Sequence, residues 1–366
     1  MYNFKKTFNK KVVVVTGHSG FKGAWLSLWL HTLGAKVIGI SLNEPSKPSL
    51  YKEIKLKKKI IHKKIDIKNL NKVRKTFKIY KPDFIFHLAA QSLVKKSYLD
   101  PVNTWQTNTI GTLNILESLK KINKKCCVVM ITSDKSYKNL EISRGYKEND
   151  ILGGIDPYSA SKSSAEIAIE SYTKSFFSSK QNKTFLSVGR AGNVIGGGDW
   201  SADRLVPDLV RSWSKNKKVL LRQPNSTRPW QHVLEAACGY MMLAQKLSED
   251  KKFHKEAFNF GPGKKNNYKV IDLLKILKKS WPNINWNKKN KSNNFQESKL
   301  LKLNSDKAHK LLQWKCILNF EETIDFVANW YFTFYKRKIN MFNFSVNQIK
   351  RYEFLLKKRL KKKFIL

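Results

Sequence analysis

The chain has 366 residues, 41% of them apolar, and 71 Lys+Arg against 27 Asp+Glu give it a net charge of +44. That apolar share can bury a core, which excludes a disordered chain, and no run of roughly 18 apolar residues occurs, which excludes a spanning helix. The length fits two domains, or one large domain with an appended lobe.

Residues 11–15 (KVVVV) form a short apolar run, a buried strand by its pattern, and it passes straight into a glycine-rich turn at 16–23. Helical spacing follows over 24–33 and stops at Gly34. Residues 36–41 predict a second strand, 60–66 a third, 70–80 a helix closed off by Pro82, and 84–88 another buried strand. A long helix over 105–119, a continuous apolar strand at 126–132 and a long helix over 158–177 complete the alternation. Apolar strands alternating with helices predict an α/β fold, a Rossmann-like doubly wound parallel sheet covered on both faces. After residue 190 the rhythm breaks down. A loop at 196–198, a helix from 207 to 213, short strands at 219–221 and 257–260, and helices over 270–279 and 320–334 predict a smaller mixed α/β lobe that takes the substrate. Residues 283–299 are polar and aperiodic, as a surface loop would be. The expected division is a dinucleotide-binding domain carrying the catalytic residues (1–190), a substrate lobe (191–335) and a basic amphipathic tail (336–366).

In that tail Ile349, Tyr352, Leu356 and Leu360 recur at helical spacing opposite a basic face. It is expected to pack on its own protein or a sister subunit, or to fray, rather than lie on an anionic membrane. The wider Lys excess falls between predicted elements, as in 55–64 and 120–125, and is read as a solvated surface, not a specific nucleic-acid interface. Cys126, Cys127, Cys238 and Cys316 show no metal-ligand or disulfide-framework spacing, so no metal is expected and a reducing cytoplasm fits.

Gly17-x-x-Gly20-x-x-Gly23 sits after a strand and opens a helix, so Gly17, Ser19, Gly20, Phe21 and Gly23 are expected to cradle a dinucleotide pyrophosphate at the helix start. The second strand ends Ser41-Leu42-Asn43, with no acidic residue for a ribose hydroxyl and no Arg for a 2′-phosphate; NAD is expected over NADP. Tyr158 and Lys162 are four apart behind Pro157, on one face of a starting helix. An ammonium beside a phenol favours the phenolate, so Lys162 is expected to pull the Tyr158 pKa down. Beside a nicotinamide, that phenolate removes the proton of an alcohol being oxidised, and Ser133, at the end of a neighbouring strand, holds the hydroxyl.

The stretches TGHSGFKGAWL (16–26), TSDKSY (132–137), DPYSASK (156–162), RAGNVIGGGDW (190–200) and RPWQHV (228–233) together resemble the extended short-chain dehydrogenase/reductase family, in its branch of NAD-dependent nucleotide-sugar epimerases and dehydratases. The likeness runs from about residue 8 to about 335. It implies oxidation of a sugar at C4, loss of water across C5 and C6, and return of the hydride to C6, with cytidine-diphosphate glucose as substrate for deoxysugar synthesis. The resemblance implies Asp134 as the acid at the 6-hydroxyl and Lys135 as the base at C5, two groups able to share one proton. It also implies Asp66, Ile67, Leu88, Ala89, Ala90 and Asn108 around the cofactor. Ser92, Asn193, Arg204 and Arg228 would bind the substrate, Asn193 and Gly196–Gly198 forming a phosphate turn and Arg228 being the stronger of the two arginines. His232 is either a site residue or a packed helix-head histidine. Helices 105–119 and 158–177 resemble those that pair in this family, implying a homodimer or homotetramer. A UDP-sugar 4,6-dehydratase, a UDP-hexose 4-epimerase and a non-catalytic polyanion-binding protein stay open as alternatives.

Overall fold

The computed structural model of the protein describes residues 2–221, 224–263, 268–281, 285–288 and 301–361. At its centre β1 (Val12–Thr16), β2 (Lys36–Ser41), β3 (Ile61–Lys64), β4 (Phe84–His87), β5 (Cys126–Thr132), β6 (Thr184–Ala191) and β7 (Ala257–Phe260) form one sheet in the order β7-β6-β5-β4-β1-β2-β3. Every neighbouring pair is parallel. The chain travels outward from β1 to β3 and then restarts at β4 on the other side of β1. The crevice left beyond the strand ends at such a reversal is where α/β sheets bind ligands.

The strands are central because both of their faces are apolar. β5 sends Cys127, Val129 and Ile131 into one core and Cys126, Val128 and Met130 into the other. The main helices are α1 (Phe21–Thr32), α2 (Leu70–Tyr80), α3 (Gly111–Leu119), α4 (Pro157–Phe176), α5 (Leu205–Trp213), α6 (Val233–Glu249), α7 (Val270–Ser280), α8 (Phe320–Lys336) and α9 (Met341–Lys361). α1 and α6 cover the first core, while α2, α3 and α4 cover the second. The helix expected from 105 starts earlier, at Pro101, and runs through a π-turn (Gln106–Ile110) into α3.

Three differences from the expected layout matter. The strand at 257–260, expected in the smaller lobe, is β7 of the central sheet, so the boundary at 190 does not separate sheet from lobe. A four-residue strand with three buried positions in a row carries no period that tells one sheet from another. α6 is buried on almost every side and therefore shows no amphipathic stripe in the sequence; its indole-rich neighbours include α1. Within the expected loop 283–299, Trp286–Lys288 pairs in parallel with Val219–Leu221, and residues 283, 284 and 289–299 lie outside the described residues.

α9 packs on its own protein. Ile349, Tyr352 and Leu356 are buried in the first core, as their spacing predicts. The Tyr352 hydroxyl donates to Glu235 Oε2 at 2.6 Å, and Trp29 Nε1 donates to Glu353 Oε1 at 2.8 Å. Glu235 is buried under α9, and its carboxylate also accepts from the backbone N–H groups of Ile317 and Leu318, both at 2.8 Å.

Candidate active site

The glycine turn is built by close approach. Gly17 has φ +75°, and a Cβ there would lie 2.8 Å from Ala89 N; a Cβ on Gly23 would lie 2.2 Å from Gly17 O. Only glycine lets β1 and α1 close on the segment after β4, where Leu88 N donates to Thr16 O (3.1 Å) and Ala89 N to Thr16 Oγ1 (3.2 Å). The cradle of Gly17, Gly20 and Gly23, with Phe21 as the first residue of α1, fits a dinucleotide pyrophosphate at a helix N-terminus. On its outer side Ser19 Oγ and Ser41 Oγ share a 2.6 Å hydrogen bond, so hydroxyls stand where a carboxylate is common. Asp66 Oδ1 accepts from Lys68 N at 2.9 Å, and Ile67 is buried against Gly111.

β5 ends at Thr132 and delivers Ser133, Asp134 and Lys135 onto a tight turn at the same edge of the sheet. Ser133 Oγ donates to Asp134 Oδ1 at 2.9 Å. Asp134 is 5% exposed and presses on Gly192, where a Cβ would fall 1.9 Å from Asp134 Oδ2. Lys135 is half-buried, and no ion pair joins it to Asp134 among the described residues, so the expected sharing of one proton has no contact behind it. On the other wall, Asp156 caps α4 by accepting from the Tyr158 and Ser159 N–H groups, both at 3.0 Å. The cap aims Tyr158 and Lys162 inward, one turn apart, and both are buried. Asn108 ties the π-turn to α4: its Nδ2 donates to Ser161 Oγ (2.9 Å) and to Gln91 O (3.0 Å), and its Oδ1 accepts from Gln91 N (2.8 Å).

The electrostatics differ from expectation at one point. Burial pushes the Tyr158 phenol up to about 12; a hydrogen bond with Ser133 and the charge of Arg204 pull it down, while Asp134 and Asp156 push it up. Lys162 donates to Ile131 O at 3.5 Å, and its own pKa is lowered to about 8 by burial, against Glu166, which raises it. The expected lowering by Lys162 is therefore outweighed by desolvation, and the cation acting on the phenol is Arg204.

Arg204 closes the far side, its Nη1 donating to Asp199 Oδ2 at 2.9 Å and its Nη2 to Ser92 Oγ at 3.5 Å. Arg228 lies on a small ribbon (Thr227–Arg228 with Tyr268–Lys269) and donates through Nη1 to Thr227 O at 2.9 Å. Of the two arginines, it is Arg204 whose charge reaches Tyr158. Asn193 adopts a left-handed conformation (φ +51°) beside the site, its carbonyl accepting from Gln231 N at 3.2 Å. The expected phosphate turn at Gly196–Gly198 is a packing element instead. All three glycines are buried; a Cβ on Gly197 would lie 2.0 Å from Trp330 Cγ, and the Gly197 carbonyl accepts from Trp25 Nε1 at 2.9 Å. His232 takes the packed reading, fully buried at the head of α6, with burial lowering its pKa to about 3.

One site residue escaped the sequence reading. Lys22 is the second residue of α1, half-buried, and burial lowers its ammonium to about 8; Arg204 and Lys162 push the same way, Asp134 and Asp199 oppose. A lysine in a first helical turn stands against the helix dipole, and that misfit was the available signal.

Residues 14–326 match the family model described as GDP-mannose 4,6 dehydratase. The chain is 41% identical over 331 residues to the CDP-glucose 4,6-dehydratase of Salmonella typhimurium, covering 89% of this chain and 92% of that protein. To the UDP-glucose 4-epimerase of Mycoplasma genitalium it is 23% identical over 338 residues, 89% of this chain and 98% of that one. An epimerase structure from Methanothermobacter thermautotrophicus has a TM-score of 0.77 at 22% identity, covering 90% of this chain and 94% of that one. A dTDP-glucose 4,6-dehydratase from Bacillus anthracis in complex with NAD has a TM-score of 0.72 at 21% identity, covering 88% and 96%. Both structures share the fold.

Proposed function

Because the chain belongs to the GDP-mannose 4,6-dehydratase family, we propose that it is an NAD-dependent dehydratase that converts CDP-glucose to CDP-4-dehydro-6-deoxyglucose and water. The observation that carries this reading is the meeting of the Ser133–Lys135 turn and the Tyr158/Lys162 helix face at one sheet edge, next to the glycine cradle.

When bound, NAD supplies a site for the hydride that leaves C4 and later returns at C6. Gly17, Ser19, Gly20, Phe21 and Gly23 would hold its pyrophosphate side, with Leu88–Ala90 and Asn108 beneath. Tyr158 takes the proton of the sugar 4-hydroxyl, and Ser133 hydrogen-bonds the same oxygen. A phenol at about 12 needs a nearby positive charge to do so near neutrality, and Arg204 is placed to supply it. The 4-ketone acidifies C5–H; Lys135 in its neutral form takes that proton, and Asp134 in its acid form donates its own to the departing 6-hydroxyl, which leaves as water. Arg204 and Lys22 face the substrate diphosphate, with Ser92, Asn193 and Arg228 as further contacts.

Assembly as a homo-oligomer is supported by apolar side chains left open on the helical run from Pro101 through α3 and on α4, among them Val102 (66% exposed), Ile110 (47%) and Ile167 (59%). Val102→Asp together with Ile167→Asp is expected to yield a monomer in sedimentation. Among the described residues, no helix is long and apolar enough to cross a membrane.

The test is incubation with NAD and, separately, CDP-, UDP-, dTDP- and GDP-glucose, following the alkaline absorbance of a 4-keto product. Product from CDP-glucose alone supports the reading. A C4 epimer without dehydration, or no turnover of any sugar, sinks it.

A further inference from the structure

Three residues form one rung across the edge of the sheet: Thr132 of β5 pairs with Arg190 of β6, and Arg190 with Asn259 of β7. Arg190 (4% exposed) and Glu166 of α4 (3%) make an ion pair beneath the site. Arg190 Nη2 lies 2.5 Å from Glu166 Oε2, and Nε lies 3.0 and 2.9 Å from Oε1 and Oε2. Thr132 Oγ1 donates to the same carboxylate at 2.6 Å. On the other arm, Arg190 Nη1 donates to the Tyr137 hydroxyl (2.6 Å) and to Glu148 O (2.9 Å), and the Tyr137 hydroxyl in turn donates a hydrogen bond to Asn259 Oδ1 at 2.8 Å.

The positions of these partners matter more than their number. Thr132 and Tyr137 are the residues immediately before and after Ser133–Ser136, so both ends of the catalytic turn are tied to one guanidinium network. Glu166 sits one helical turn beyond Lys162 on α4. A buried ion pair adds little net stability, because desolvation offsets its attraction. A planar fork on a carboxylate does fix geometry.

We infer that the Glu166–Arg190 pair, with Thr132, is a positioning device that holds Tyr158 and Lys162 in register with Ser133, Asp134 and Lys135, so that oxidation at C4 and elimination across C5 and C6 address the same seated sugar. This rests on the roles proposed above for those residues. Two halves of the catalytic set stand on separate elements, and a displacement on the order of 1 Å between them costs about 100-fold in rate. Loosening the register costs the C4 oxidation only the supporting Ser133 hydrogen bond, since Tyr158 and Lys162 stay together on α4, whereas the elimination loses both Asp134 and Lys135.

The decisive variant is Thr132→Val, which removes one hydrogen bond and keeps the shape. Glu166→Gln, which keeps the shape and leaves Arg190 uncompensated, is the stronger disruption. Thr132→Val is expected to lower kcat about 10-fold with KM for the nucleotide sugar within about 2-fold, and reduced-nicotinamide absorbance is expected to build up in a single turnover where the wild type shows little. A purely structural role would lower the melting temperature without moving that partition. Folded Thr132→Val with wild-type kcat, or with lowered kcat and no build-up, overturns the inference. If Glu166→Gln does not fold, Thr132→Val decides alone. A wild type that dehydrates no nucleotide sugar sinks the proposed function instead, so the two failures are told apart.

Discussion

The turn at Gly17–Gly23 and the turn at Gly196–Gly198 are both rich in glycine, spaced by three in the first and consecutive in the second, and they lie a short distance apart in the fold. At the first, the space denied to a Cβ is occupied by backbone, Ala89 N and Gly17 O, and the glycines shape the cradle proposed for the cofactor. At the second, the space is filled by the side chains of Trp330, Val233 and Leu50, and the glycines let a loop sink into the core. A missing side chain can thus serve either an approach from outside or an approach from within, and the letters alone do not say which. What distinguishes the two is the neighbour on the Cβ side.

A third glycine sharpens that contrast most. Gly192 faces neither ligand nor core but the Asp134 carboxylate. Gly192→Ala is expected to push Asp134 off its post and cost about 1,000-fold in kcat, within the range of a lost acid–base group, with the melting temperature nearly unchanged. Near wild-type turnover would remove Asp134 from the mechanism. Next, Gly23→Ala is expected to weaken NAD binding on the order of 100-fold in calorimetry while far-UV dichroism stays native, since the clash is with the cradle's own backbone. Gly197→Ala should do the reverse: a loss of about 2 kcal/mol in denaturant unfolding from overpacking against Trp330, with NAD affinity of the folded fraction unchanged. If both alanines damaged the same property, the distinction between the turns would collapse.

The smallest expected effect is one of pH, and it too belongs to the packing side. Burial raises the Glu235 carboxyl to about 7, against the Ile317, Leu318 and Tyr352 donors and the charge of Arg359. The folded chain therefore keeps a proton that the unfolded chain has already shed, and the resulting stability is full below the unfolded pKa and is lost as pH rises through about 7. Between about pH 6 and 8 the loss is roughly 1 kcal/mol, read as the difference between wild type and Glu235→Gln in unfolding midpoints.

How much of this was legible in the sequence depends on whether the cause was local. Tyr158 and Lys162 were readable because a spacing of four on a capped helix fixes their shared face. Val12–Thr16 and Cys126–Thr132 were readable because an apolar run between turn signals has few other fates. β7 and α6 were not readable as parts of the central layer. Their placement follows from what they pack on, and a helix buried all round has no stripe to announce it. The same holds in the site. Arg190 meets Glu166 and Tyr137 across 24 and 53 residues of sequence, and Gly192 meets Asp134 from another element, separations that no spacing rule links. Arg204 rather than Lys162 acts on Tyr158 for the same reason: burial and approach decide a pKa, not adjacency along a helix.

The docking of α9 has a consequence for how the chain is made. Trp29 in α1 meets Tyr352 edge-on, with ring centroids 5.6 Å apart, and hydrogen-bonds Glu353 across a separation of 324 residues. At about 5–20 residues per second, translation leaves that face of α1 bare for roughly 15–65 s after it emerges. The helix that follows the cofactor turn thus leaves the ribosome long before the helix that covers it. During that interval its indoles are a landing site for other nascent chains, and the yield of folded protein in a cell should rise with the supply of holdase chaperones.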